Sequence, residues 1–277
     1  MLLEALTWLT TPAPQWARQA GYLKELIAIQ ARYRRCRDSW EPHLQASRAA
    51  IIAAVDRCDR RHHAIVYGSG LLLDIPLDTL SRAFARVTLV DAVHLRSTRR
   101  LARQFTNVRC AETDLSGVAV GLLLGTAKGA DQLPRPIAPT VEPPKEIDLV
   151  ISANVLTQLP VTPLQYLDRH LPLPADDLDL YARAIMQAHL DHLAQLDAVC
   201  CLLAETEVAH VAPDGTILES TDPLRGLSLP SPHDSWHWTV APLGEVSRNY
   251  AIRNHVAAAI SMPQCSESAS NRRGASP

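Results

Sequence analysis

Gly68, Ser69 and Gly70 follow the apolar run 64–67, and 23 residues after Gly68 the run VTLVD ends in Asp91. Glycines at the end of a buried strand permit a turn at positive φ and let a ligand approach the backbone with no Cβ in between. A carboxylate at the end of the next strand can accept both hydroxyls of a ribose. Two later strand candidates end in polar groups as well, 107–114 in Asp114 and 147–154 in Asn154. In an open parallel sheet ligands bind beyond the carboxyl ends of the strands. These four ends, with Ala92 and Leu115 beside the two acids, therefore form a candidate nucleoside site.

A second set of residues could meet a substrate. SPHDSWHWTV holds Trp236, His237 and Trp238 at the start of a late strand, where alternation puts His237 on the face opposite the tryptophans. Gln158 lies in the VLTQLP segment after Asn154, and Tyr33, Trp40 and His43 lie on the N-terminal helices. Asp74, within the loop after Gly70, either reaches the site or caps the helix that follows. No catalytic base stands out. His189 and His192 are spaced as two metal ligands on a helix would be, but no third ligand is evident, so no metal is expected and His189 reads as a structural histidine. Cys200 and Cys201 sit in a buried run and read as small hydrophobes.

The elements that must position these groups follow from periodicity. Short apolar runs at 64–68, 87–91, 107–114, 147–154 and 198–208 are separated in part by segments of helical length, the rhythm of a parallel sheet with crossover connections. Helical periodicity at 14–36 and 41–59 predicts two helices ahead of the first strand. A helix is expected over 177–196, capped by Asp176 or Asp177. Asp214-Gly215 marks a hairpin, and two further strands follow without a crossover helix, so the sheet ends antiparallel. The proline-rich stretch 125–146 must be a long loop. The chain divides into an N-terminal helical extension (1–60), a nucleoside-binding domain (61–262) and a tail (263–277) expected to be disordered.

Over residues 60 to about 260 the pattern resembles the class I S-adenosylmethionine-dependent methyltransferases. VYGSGLL corresponds to the family's glycine loop, Asp91 in VTLVDAV to its ribose-binding acid, Asp114 in AETDLSG to its adenine-contacting acid, and IDLVISANVLTQLP to its fourth-strand motif. The resemblance implies a Rossmann-like α/β fold with a seven-stranded, mostly parallel sheet and one antiparallel strand. It also implies S-adenosylmethionine bound through Gly68, Ser69, Gly70, Asp91, Ala92, Asp114, Leu115 and Asn154. Two positions depart from the pattern: Val66 stands for an acidic residue that helps anchor the methionine part, and Leu72 for a third glycine. The segment after Asn154 lacks the Pro-Pro-aromatic motif of enzymes that methylate nucleic-acid amines, which points to a small-molecule acceptor. Two other readings stay open. One is a non-catalytic, methyltransferase-like module that binds a protein. The other is an aminocarboxypropyl transferase, because GSGLLLDIP is faintly similar to the loop of nicotianamine-synthase-like enzymes. Product analysis separates the two transfers, since methyl transfer leaves S-adenosylhomocysteine and the other leaves methylthioadenosine.

Composition narrows the classes further. A 277-residue chain with 47% hydrophobic residues fills a sizeable core, and a net charge of −2 gives no general attraction to nucleic acid. Of the 27 basic residues only 3 are lysine. The apolar runs are too short to span a bilayer. With no positive leader and six irregularly spaced cysteines, a cytoplasmic location is expected. The N-terminal helices either close over the cofactor or mediate a homodimer.

Overall fold

The computed structural model describes residues 2–125, 129–139, 141 and 146–262. The chain runs through α1 (Leu2–Thr10), α2 (Gln15–Ala20), α3 (Tyr22–Val55), β1 (His63–Tyr67), α4 (Leu77–Ala83), β2 (Arg86–Asp91), α5 (Arg96–Ala102), β3 (Val108–Glu112) and α6 (Ala119–Leu123). It continues through β4 (Leu149–Ala153), α7 (Val161–His170), α8 (Ala175–Ala194), β5 (Val199–Val211), β6 (Ile217–Thr221), β7 (Asp234–Ala241) and β8 (Ala251–Ser261). The expected tail and parts of the proline-rich loop (126–128, 140 and 142–145) lie outside the described residues.

The strands form one sheet in the order β3-β2-β1-β4-β5-β8-β7, parallel from β3 to β5, with β8 antiparallel to both β5 and β7. This is the expected Rossmann-like, mostly parallel α/β sheet, with β8 the one antiparallel strand of its seven-stranded path. An eighth strand, absent from that expectation, is β6, which pairs antiparallel with the far end of β5 across the Asp214-Gly215 turn. Chain order reverses between β1 and β4, so the crevice for a ligand opens where Gly68 and Asn154 end those two strands.

Every residue of β1 and β4 is buried, because both faces of the sheet are covered. Ala64 and Val66 alternate with Ile65 and Tyr67 between two cores. One face packs on α4 and the end of α3 through Ile51, Ala54 and Leu80; the other packs on α7 and α8 through Leu167, Ile185 and Met186.

Three helical expectations are corrected. The predicted pair 14–36 and 41–59 does meet a break at Cys36 (φ −108°, ψ 18°), where α3 kinks between two helical stretches, but the first of the pair is further divided by a left-handed Gly21 (φ 103°) into α2 and the start of α3. Pro42, a turn and a half later, has no N–H to donate to the carbonyl of residue 38, so the ladder is incomplete there and the apolar periodicity is interrupted. Neither Asp176 nor Asp177 caps α8: Pro174 holds the cap position and both acids lie in the first turn, where they complement the helix dipole. Asp74 is not the cap of α4 either, since Pro76 precedes that helix and no side chain caps it. Between β4 and α8 the chain also forms α7 and a 3-10 turn at Leu156–Gln158, which the periodicity did not show.

Candidate functional site

Gly68 ends β1 with φ 74°, and a Cβ there would stand 2.5 Å from Val155 Cβ and 3.0 Å from the Ala153 carbonyl oxygen. The β4 segment passes so close that only glycine fits. Gly70 (φ 46°) is different: a Cβ would meet the Gly68 carbonyl oxygen at 3.8 Å and Asp91 Oδ2 at 3.9 Å, ordinary contacts, so the glycine keeps a side chain away from Asp91 without being forced by a clash. The Gly70 N–H donates to Asp91 Oδ2 at 2.7 Å and the Ala92 N–H to Oδ1 at 2.7 Å. Each carboxylate oxygen keeps a second lone pair for a ligand. Burial pushes the Asp91 carboxyl up, against the opposing pull of His94 and these backbone donors.

The loop is held from behind by a chain of polar contacts. Ser69 Oγ lies 2.9 Å from His94 Nε2, His94 Nδ1 lies 2.8 Å from Glu112 Oε1, and Arg99 pairs with the same oxygen at 2.6 Å. Glu112 can only accept, so His94 Nδ1 carries a proton toward it while Nε2 faces the Ser69 hydroxyl. At the position of the family's third glycine, Leu72 keeps a left-handed φ of 60° while its side chain is buried in the core under α4. The loop thus retains its path without that glycine, at a backbone cost of about 1–2 kcal/mol.

Around this loop a cavity of about 380 Å³ opens at the carboxyl ends of the strands. Gly68, Ser69, Gly70, Asp91, Ala92, Leu115 and Asn154 line it, and so do Trp40, His43, Gln158 and Trp238. Asp114 is not among its lining residues. Its Oδ1 accepts from the Ser116 N–H and hydroxyl (3.0 and 2.5 Å) and its Oδ2 from the Ala119 N–H (2.7 Å), which closes the turn into α6 and leaves Leu115 and Ser116 on the cavity. Tyr33 stands one layer back, its ring 5.8 Å from that of Trp40. Trp236 is also outside the lining and donates its indole N–H to His43 Nδ1 at 3.0 Å. His237 is exposed beside His255 on the other face of β7.

The far wall of the cavity comes from the N-terminal helix α3. His43 lies flat on Trp238, with ring centroids 4.0 Å apart and planes 8° from parallel, and Trp40 meets Trp238 edge-on at 5.0 Å. Burial lowers His43 to about 3, so the ring is neutral at physiological pH. Its Nδ1 accepts from Trp236, which leaves Nε2 as the protonated nitrogen.

Tyr22, Glu205 and Asn254 line the cavity but had escaped the sequence reading, whereas Asp74 had been read as either reaching the site or capping the next helix. Tyr22, at the start of α3, has its hydroxyl 3.4 Å from Ser116 Oγ and 3.5 Å from Asp114; burial, reinforced by the Asp114 charge, pushes its phenol up. Asp74 accepts from Asn154 Nδ2 at 2.8 Å, and burial raises its carboxyl. Glu205 on β5 accepts from the Thr157 hydroxyl and is likewise raised by burial, with a further push from Asp74. Asn254 on β8 faces Trp238 in the strand register. Glu205 had a legible signal, as the first charge to break an apolar strand; Tyr22 and Asn254 had none. Among the described residues no group of three or more His, Cys, Asp or Glu is placed to hold a metal, and no helix is long and apolar enough to cross a membrane.

The order of the sheet and the glycine turn at its switch point define a Rossmann-like, doubly wound α/β fold. No protein-family model matches the chain, and no curated protein matches it in sequence. Among solved structures it is similar to the Burkholderia thailandensis 1,6-didemethyltoxoflavin-N1-methyltransferase with bound 1,6-didemethyltoxoflavin and S-adenosylhomocysteine. The identity is 15%, with 89% of this chain and 91% of that one covered and a TM-score of 0.36. It is also similar to the N-methyltransferase NodS from Bradyrhizobium japonicum WM9 in complex with S-adenosylhomocysteine (11%, 77% and 85%, 0.36), and to a DhpI–S-adenosylhomocysteine complex (14%, 83% and 93%, 0.34).

Proposed function

We propose that this chain is an S-adenosylmethionine-dependent methyltransferase acting on a small molecule. The observation that carries the reading is the cavity at the switch point, where Gly70, with no side chain, lines it beside an Asp91 carboxylate already oriented by two backbone donors. That cradle suits a ribose edge, with Leu115 and Ser116 beside the adenine. The charged amino-acid end falls to Asp74 and Asn154, whose Oδ1 is buried without a partner among the described residues. Asp74 thus takes the place of the acid that Val66 lacks. When bound, the group supplies a methyl on a sulfonium, an electrophile that needs no metal and no covalent intermediate. The work of the chain is to orient the acceptor, exclude water and remove a proton where the acceptor carries one. Helix α3 closes the cavity over the loop through Tyr22, Trp40 and His43.

The test is the melting temperature of the purified protein with and without S-adenosylhomocysteine. Ligand at about 100 times its dissociation constant should add about 2.7 kcal/mol, or about 5 to 10 °C for a chain of this size. Asp91→Ala should abolish the shift. No shift at millimolar ligand would reject the reading and leave a protein-binding module as the alternative.

A further inference from the structure

The cavity has two unlike ends. The ends of β1 to β3 build the half described above, around Gly70, Asp91 and Leu115. The middle of β5, with β7, β8 and the middle of α3, builds the other half, lined by Glu205, Asn254, Trp40, His43 and Trp238. The polar groups of this second half are mainly acceptors. Glu205 is 3% exposed and receives one hydroxyl, from Thr157. Asn254 is 8% exposed and its Oδ1 has no partner among the described residues. The Trp238 indole N–H is an unpartnered donor.

Positive charge is lacking on this wall. Among the described lining residues the only Lys or Arg is Arg32, whose side chain is 43% exposed and lies 3.9 Å from Glu245. Arg48 donates to the Leu73 carbonyl and pairs with Glu41 outside the lining. His43 is neutral, as shown above. A buried carboxylate with a single hydroxyl donor and an amide oxygen with none are unfavourable unless a ligand supplies donors, and a carboxylate is best answered by a cation. The remaining surface is aromatic: the Trp238 and His43 rings are stacked and Trp40 stands edge-on to them, a wall suited to the apolar part and the positive end of an organic cation.

We propose that this half of the cavity binds a small organic amine, with its ammonium on Glu205 and Asn254 and its carbon skeleton on Trp238, Trp40 and His43. The proposal rests on the methyltransferase reading for its chemistry, and names the acceptor class of that site. The Glu205 carboxylate takes one proton from the ammonium, becoming a carboxylic acid and leaving a lone pair on nitrogen. With a sulfonium methyl donor bound, that pair would take the methyl, the C–S electrons would return to sulfur, and the positive charge would pass from sulfur to nitrogen. Glu205 is suited to the proton transfer because burial and Asp74 hold its carboxyl above the ordinary range.

The experiment compares three probes of matched shape, 2-phenylethylamine, 2-phenylethanol and 3-phenylpropanoate, on the full chain with and without S-adenosylhomocysteine. Binding is read by tryptophan fluorescence and calorimetry. The amine is expected to bind at least about tenfold more tightly than the alcohol, and the carboxylate not to bind. Glu205→Gln should lose that preference while keeping the S-adenosylhomocysteine melting shift. Asn254→Leu, which removes the unpartnered acceptor and keeps its bulk, should weaken the amine as well. Equal binding of amine and alcohol, binding of the carboxylate, no binding of any probe, or an unchanged amine preference in Glu205→Gln overturns the proposal. The two readings fail separately: a missing S-adenosylhomocysteine shift with the amine preference intact rejects the transferase alone, and a shift without the preference rejects the amine site alone.

Discussion

His43 of the N-terminal helix and Trp238 of β7 lie ring on ring, 4.0 Å between centroids and 8° from parallel, though 195 residues separate them in the chain. Trp236 fixes the same imidazole by donating to its Nδ1 at 3.0 Å. The helical extension is thereby locked to the antiparallel end of the sheet, and the cavity between them has a rigid aromatic wall. His43→Ala removes the stack and leaves the Trp236 indole N–H without its acceptor. A loss of about 2–4 kcal/mol is expected, seen as a lower midpoint in guanidinium chloride and a changed tryptophan emission.

The two glycines of the loop should separate stability from binding. Gly68→Ala forces a Cβ to 2.5 Å from Val155 Cβ in a left-handed backbone and should cost about 2–4 kcal/mol. Gly70→Ala makes only ordinary contacts, at 3.8 and 3.9 Å, and should cost about 1 kcal/mol from its left-handed φ. Yet it fills the space beside Asp91 and should abolish the S-adenosylhomocysteine melting shift. Denaturant midpoints and ligand-induced shifts measured on both variants check the contrast.

Three buried histidines predict acid sensitivity. Burial lowers His43 and His189 to about 3 and His63 to about 4, and Ser152 and Thr88 meet the rings of the last two. Below the ordinary histidine pKa of about 6.5 the unfolded chain binds protons that the native state refuses, so stability is full above that value and falls as pH falls. Each such group removes about 1.4 kcal/mol per pH unit across its window. Denaturant midpoints between pH 7 and 4 should drop steeply, and His189→Gln should shallow the slope.

Glu205 predicts a trend in the opposite direction. Its folded carboxyl is raised by burial, so in the window above the ordinary glutamate range the native state holds a proton that the unfolded chain has released. Its contribution is therefore full at low pH and lost as pH rises through the raised value. Glu205→Gln should raise the melting temperature at neutral pH, equivalent to about 1–3 kcal/mol, and should match the parent protein near pH 4. An unchanged melting temperature at pH 7.5 would mean that the charge is already compensated.

Leu72 predicts a trade between strain and packing. Its φ of 60° is costly for a leucine, but its side chain fills the core beneath α4. Leu72→Gly relieves about 1–2 kcal/mol of backbone strain and forfeits about 2–5 kcal/mol of buried contact. A net loss of stability is expected, with the S-adenosylhomocysteine shift retained. A gain in the midpoint would show that the strain outweighs the packing.

Much of the fold was legible because it is local in origin. A strand buried on both faces reads as an unbroken apolar run, so β1, β2, β4 and β5 could be found from HAIVY, RVTLVD, LVISA and VCCLLA, and the hairpin from Asp214-Gly215. Gly68, Gly70, Asp91 and Asn154 could be placed at the crevice because a parallel sheet has only one end at which ligands bind. The kink at Cys36 registered only as lost periodicity, and α7 did not register at all.

What the residues by themselves determined is thus the order of strands along the chain and the chemistry at each strand's end. Only the tertiary structure decided which of those ends face one another. It spent Asp114 on the turn into α6, released Asp74 from capping to meet Asn154, and carried Glu205, Asn254 and Trp238 to the same cavity as His43. The reason is physical: strand and helix periods are written in neighbouring side chains, whereas hydrogen bonds and ring contacts between residues 100 or 200 positions apart depend on sheet order and on the path of α3, which no local pattern encodes.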